Sequence, residues 1–115
     1  MVKLITIFLA ALLVLGSQSL NIGKVGGYTD HPELIENSNI KALVKYAAEY
    51  LASTDNLILD EIKITRVQTQ LVNGINYKLE FTAQSVNGHN KLTTCEAVIY
   101  ERFDSTRKIT SAQCN

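Results

Sequence analysis

Few residues of this chain are of the kinds that carry out chemistry. It has two histidines, His31 and His89, and two cysteines, Cys95 and Cys114. Both histidines fall in loop-like stretches, and no Gly-x-Ser-x-Gly elbow, His-Glu-x-x-His helix or phosphate-cradling glycine loop occurs. The carboxylates are spread singly. Asp60-Glu61 is an adjacent pair, but strand geometry sends neighbours to opposite faces, so the two cannot share a proton. No nucleophile–base pair can be assembled, and the reading is of a protein that is not an enzyme and holds no metal or cofactor. Asn-x-Ser/Thr does not occur, so N-glycosylation is not expected.

Two other patterns do suggest a use. Leu71-Val72 stands immediately before Asn73-Gly74, a strong hairpin-turn signal. Two consecutive large apolar residues at a hairpin tip cannot both point inward, and an exposed apolar tip marks a partner contact. Val25-Gly26-Gly27 is the second pattern, a glycine arm whose backbone can approach another surface closely.

The elements that must position these residues follow from periodicity. Met1-Val2-Lys3, an almost wholly apolar run from Leu4 to Leu15, and small residues at Ser17 and Ser19 have the plan of a secretory signal peptide. The run is shorter than the roughly 20 residues that span a bilayer. A buried N-terminal helix is the competing reading, and the order of lysine, apolar run and small residues favours the signal peptide. The cut is placed after Ser19, with Gly16 and Ser17 as alternatives. Residues 1–19 are thus read as the signal peptide and 20–115 as one domain, secreted and not membrane-bound. In an oxidising compartment Cys95 and Cys114 are expected to pair. Metal ligation and free thiols compete with that reading, weakened by the lack of a Cys-x-x-Cys and by the distance to the histidines.

Leu20 to Pro32 reads as irregular. Ile40, Leu43, Val44, Ala47 and Leu51 form one helical stripe, capped by Asn37, Ser38 or Asn39. A long strand over Leu59 to Val72 follows, with Ile62 and Ile64 on one face and a parity break at Val67 that suggests a bulge. Ile75, Tyr77, Leu79, Phe81 and Ala83 alternate with polar residues in the next strand. After a turn at Val86–Asn90 come a strand over Leu92 to Arg102, a loop from Phe103 to Arg107 and a last strand over Lys108 to Cys114. The fold class is α+β: one helix packed on a curved antiparallel sheet of about four to five strands. The formal net charge of zero excludes a nucleic-acid binder, which needs a basic face.

Taken together, these residues resemble the cystatins, inhibitors of papain-like cysteine proteases. Gln70-Leu71-Val72-Asn73-Gly74 matches their Gln-x-Val-x-Gly hairpin, and Val25-Gly26-Gly27 resembles their N-terminal trunk. The helix segment Ala42–Tyr50 and the step Asn76-Tyr77 also look like theirs, and Cys95 and Cys114 resemble the C-terminal disulfide of the secreted animal branch. The resemblance implies a reversible, tight-binding wedge that enters the cleft of a papain-like protease, of the cathepsin L type. Its contacts would be Val25, Gly26 and Gly27 in the arm, Gln70 to Gly74 in the first hairpin, and Phe103 in the second. There the family carries Pro-Trp, whereas this chain has no Trp and reads Arg102-Phe103-Asp104-Ser105. Asp104 brings a charge that must be desolvated or kept at the rim, so weaker binding is expected. The usual first disulfide of the secreted animal members is also missing. The alternative is a non-inhibitory secreted binding or host-defence protein on the same fold. A monomer is expected, with a domain-swapped dimer as the other state open to this fold.

Overall fold

The computed structural model describes residues 27–115. Within them one helix, α1 (Ser38–Thr54), lies across a five-stranded antiparallel sheet whose spatial order is its chain order. The strands are β1 (Thr29–Asp30), β2 (Leu59–Val72), β3 (Gly74–Ser85), β4 (Lys91–Glu101) and β5 (Arg107–Cys114).

The helix starts where the sequence offers a cap. Asn37 has extended backbone, and its side-chain oxygen accepts from the N–H groups of Asn39 and Ile40 at 2.9 and 3.2 Å. Such a cap contributes about 1 kcal/mol. At the other end the hydroxyls of Ser53 and Thr54 turn back to the Tyr50 carbonyl, and Asn56 enters the left-handed region. Asn87, from the β3–β4 turn, then staples the exit. Its amide donates to the Asn56 carbonyl at 2.5 Å, and its oxygen accepts from the Ile58 N–H at 3.1 Å.

The apolar stripe Ile40, Leu43, Val44 and Ala47 meets the alternating inner face of the sheet, Val67, Tyr77, Leu79 and Phe81. Cys95, Ala97 and Ile99 from β4 complete this core. Each fully buried large side chain contributes about 1.5–3 kcal/mol of transfer free energy, so the helix is held by its face and not by propensity alone. Cys95 and Cys114 are directly opposite each other in the β4–β5 ladder and are bonded. That pairing fixes the C-terminal edge strand to the core.

Three details differ from the sequence reading. The segment read as irregular up to Pro32 contains β1, whose Thr29 and Asp30 pair with Thr69 and Gln68. Arg66 holds Asp30 at 2.8 Å, and the His31 N–H donates to the Val67 carbonyl at 2.8 Å. The Arg66 hydrogen bond and charge lower the Asp30 pKa. A carboxyl lowered in the folded state stabilises it above the ordinary carboxylate range and loses that contribution only as pH falls through the lowered value. The clamp on β1 therefore persists into mildly acidic solution. Second, the bulge expected near Val67 lies between Ile64 and Arg66, and another lies between Asp60 and Lys63. Glu61, at φ 50°, sits in that second bulge with its N–H donating to the Asp60 carboxylate. Third, Arg107 belongs to β5 and not to the loop before it.

Candidate functional site

The antiparallel register brings three segments to one end of the sheet. The β2–β3 hairpin turns at Asn73, with Val72 opposite Gly74. In the β3–β4 ladder Ile75 stands opposite Glu101, which sets the start of the β4–β5 loop beside that turn. Asn73, Tyr100, Arg102, Phe103 and Asp104 line a shared concavity of about 340 Å³. In β1 Thr29 pairs with Thr69, so the chain before it runs toward the Leu71–Val72 end of β2. Gly27, the first described residue, is exposed there. Val25 and Gly26 lie outside the described residues.

The first hairpin is rigid for reasons visible in its atoms. The Asn76 amide donates to the Gln70 side-chain oxygen at 3.0 Å, across the ladder at the base of the turn. The Tyr100 hydroxyl donates to the Asn73 carbonyl, tying the tip to β4. Gly74 has φ +126°, and a Cβ there would stand 2.6 Å from the Glu101 carbonyl oxygen and 2.9 Å from the Tyr100 ring. Both the backbone and the contact demand glycine. Gly74→Ala is expected to cost about 1–3 kcal/mol from backbone strain alone, read as a drop in melting temperature. Of the two apolar tip residues, Leu71 is the one turned to solvent, 73% exposed, while Val72 is half-buried.

The second hairpin, Arg102 to Thr106, presents Phe103 at 72% exposure. Its shape is built by Asp104, whose carboxylate accepts from the Thr106 N–H at 3.1 Å and from the Thr106 hydroxyl. Those bonds hold the Asp104 carboxyl below its usual pKa. The charge expected to burden a partner contact is thus turned back onto its own loop. The Arg102 N–H donates to the Thr106 carbonyl and the Ser105 N–H to the Arg102 carbonyl, each at 2.9 Å, closing the turn.

Below this loop, Arg107 binds Glu101 at 2.9 Å and reaches the Asn39 side chain on α1 at 3.1 Å. Tyr77 lies beneath Glu101, and burial first, then the Glu101 carboxylate, pushes its hydroxyl pKa up. Tyr77 therefore stays neutral, and the base of the second hairpin is anchored to both sheet and helix. The sequence reading missed Tyr100, Thr106 and Arg107 as supports. Asp104-x-Thr106 was the available signal, a side-chain turn pattern.

The arrangement has no acid–base or nucleophilic pair at its surface. It has two braced loops, each offering one large apolar side chain, beside an approaching arm. Fold and site define a small α+β binding domain that presents a loop edge. The comparisons with known proteins make the assignment specific. A Cystatin domain model matches residues 26–114, and the chain belongs to the cystatin family, which comprises cysteine protease inhibitors and not enzymes. Comparison with curated protein sequences gives no match. Among solved structures it is similar to Mialostatin, a gut cystatin from the hard tick Ixodes ricinus, at 22% identity and TM-score 0.60, covering 77% of this chain and 97% of that one. It is also similar to a salivary cystatin from the soft tick Ornithodoros moubata, at 21% identity and TM-score 0.64, covering 78% and 97%. A third structure, Al-CPI, matches at 20% identity and TM-score 0.62, covering 78% and 98%. At these identities the likeness establishes the fold.

Proposed function

We propose that the chain is a secreted, reversible, tight-binding inhibitor of papain-like cysteine proteases, with the cathepsin L type as its main target. Residues 1–19 act as the signal peptide, and the processed chain 20–115 works as a monomer outside the cell. The observation that carries this reading is the side-by-side placement of Leu71 and Phe103, the exposed apolar residues of two braced hairpins, at the end toward which the Gly27 arm runs.

The physical logic is that of a wedge. Two loops held by internal hydrogen bonds lose little entropy on docking, so more of their contact energy appears as affinity. Leu71 and Phe103 supply apolar area to the cleft walls, with Val72 packing behind Leu71. Gln70, Asn73 and Gly74 keep the first tip in shape. A Cβ on Gly27 would meet nothing within 4 Å, so the protein's own packing does not demand glycine there. Glycine at that point instead allows a partner's backbone to come close, and Val25 and Gly26 would lie across the cleft beside it. Phe103 replaces part of the area a Trp would bury, and clefts with little free space are expected to be inhibited less well.

A wedge in the cleft excludes substrate. Inhibition of papain should be competitive, raising apparent KM with kcat unchanged. A fall in kcat at constant KM would argue for a contact away from the cleft. The coupling between the tips can be read in Tyr100→Phe, which removes the donor to the Asn73 carbonyl. Loss of one such bond, about 0.5–1.5 kcal/mol, should weaken inhibition roughly 2- to 10-fold.

A further inference from the structure

The end of the molecule away from the hairpins carries a second apolar feature, which the inhibitor reading does not use. A groove of about 740 Å³ runs between α1 and the first half of β2. Val44, Ala48 and Ala52 form its helix wall, and Ile58, Ile62 and Ile64 form its strand wall. Its origin is local. Ala48 and Ala52 are too small to fill the gap, and the bulge between Asp60 and Lys63 carries Ile62 past the edge of helix cover. Ile58 and Ile62 are left 43% and 38% exposed. Val86, also exposed, adjoins them through its N–H to the Ile58 carbonyl at 2.9 Å.

The lining selects a ligand chemistry. It contains no aromatic ring, hydroxyl or amide side chain, so nothing in it would stack on a flat molecule or hydrogen-bond a polar body. Its helix wall from Lys41 to Ala52 is about 17 Å long at 1.5 Å per residue, a length suited to an extended alkyl chain. The volume falls within the roughly 300–1,000 Å³ usual for small-molecule sites. Polar groups stand only at the rim. Lys41 is engaged by Glu36 at 3.0 Å. Lys45 and Lys63 form no ion pair among the described residues, and Glu49 is the one carboxylate of the rim left to oppose them. The rim therefore keeps an excess positive charge beside an aliphatic trough.

We infer that this groove binds a free long-chain fatty acid, its alkyl chain along Ala48, Ala52 and Ile62 and its carboxylate at Lys45 and Lys63. The site is separate from the hairpin end and does not rest on the inhibitor reading.

The test uses the processed chain 20–115, since the apolar run Leu4–Leu15 would itself take up amphiphiles. A fluorescent fatty acid, cis-parinaric acid, is titrated and then displaced with oleate below its micellar concentration. The expected result is saturable one-to-one binding, with oleyl alcohol and the Lys63→Glu variant each about tenfold weaker, the worth of one exposed charge contact reversed or lost. Ile62→Asp should abolish binding. Ala52→Trp, which fills the trough without adding charge, should do the same, and its melting curve checks that the fold is kept. Papain inhibition should be unchanged in all three variants. The inference is overturned by absence of saturable displacement, by equal affinity for acid and alcohol, or by binding that survives both Ile62→Asp and Ala52→Trp. It is likewise overturned if the protein binds phosphatidylglycerol vesicles and no free acid.

Discussion

Leu71→Asp is expected to weaken papain inhibition at least about 100-fold while leaving the melting temperature essentially unchanged. The side chain is 73% exposed in the free protein, so the fold loses almost no packing when it is replaced. In the proposed complex the same side chain is buried. Burial of a leucine is worth about 1.5–3 kcal/mol, and an aspartate in its place would carry an unpaired charge into the cleft. Together these exceed the 2.7 kcal/mol or so that corresponds to a factor of 100. Leu71→Ala, without the charge, should fall between the two. A steady-state inhibition constant together with a thermal melt checks both halves of the expectation. An unchanged inhibition constant would remove the first hairpin from the contact surface.

The second large effect concerns stability. Replacing Cys95 and Cys114 together by alanine is expected to cost about 3 kcal/mol, the chain-entropy value for a loop of this length. The separation is 19 residues. For a domain of this size that corresponds to a fall in melting temperature of about 12–24 °C. The location makes the cost plausible in structural terms. β5 is an edge strand with a largely exposed outer face, bonded along one side only to β4. The disulfide holds its last residue against Cys95, which is 1% exposed in the core. Without it, β5 should fray from its C-terminal end, and hydrogen exchange at Gln113 and Cys114 should rise before that at Lys108. The second hairpin is held separately by Arg107, through Glu101 and Asn39. Inhibition at room temperature should therefore fall far less than stability does. Equal loss of both would show that the loop depends on the bridge.

Much of the fold was legible because long elements repeat their signal. The stripe from Ile40 to Leu51 has helical spacing, and all five of its residues are buried. In β3 the alternation of Tyr77, Leu79, Phe81 and Ala83 matches the buried positions one for one. Short elements give no such repeat. β1 is two residues long and is held by Arg66, distant in sequence, so no local pattern announces it. The bulge at Glu61 puts a non-glycine residue at positive φ, a conformation the sequence does not advertise.

The candidate site was legible in its tips and hidden in its supports. Leu71 and Phe103 stand out as apolar residues beside turns. That Leu71 and not Val72 faces solvent depends on the register, which the turn at Asn73 and Gly74 sets. The Asp104 carboxylate reads from sequence as a cost to binding. In the structure it is the group that closes its own loop. The groove between α1 and β2 was not legible at all, because it arises from two small helix residues facing a bulge across the fold.

The most direct test of the central claim is a titration of papain with the processed chain 20–115 as a purified monomer, following hydrolysis of a small fluorogenic peptide. The account predicts inhibition at nanomolar concentration, reversed on dilution, with the protein recovered uncut at Asn73 and Phe103. Absence of inhibition at micromolar protein, with the helix and sheet confirmed by circular dichroism, would contradict it. The braced hairpins would then belong to a binding surface for some other partner.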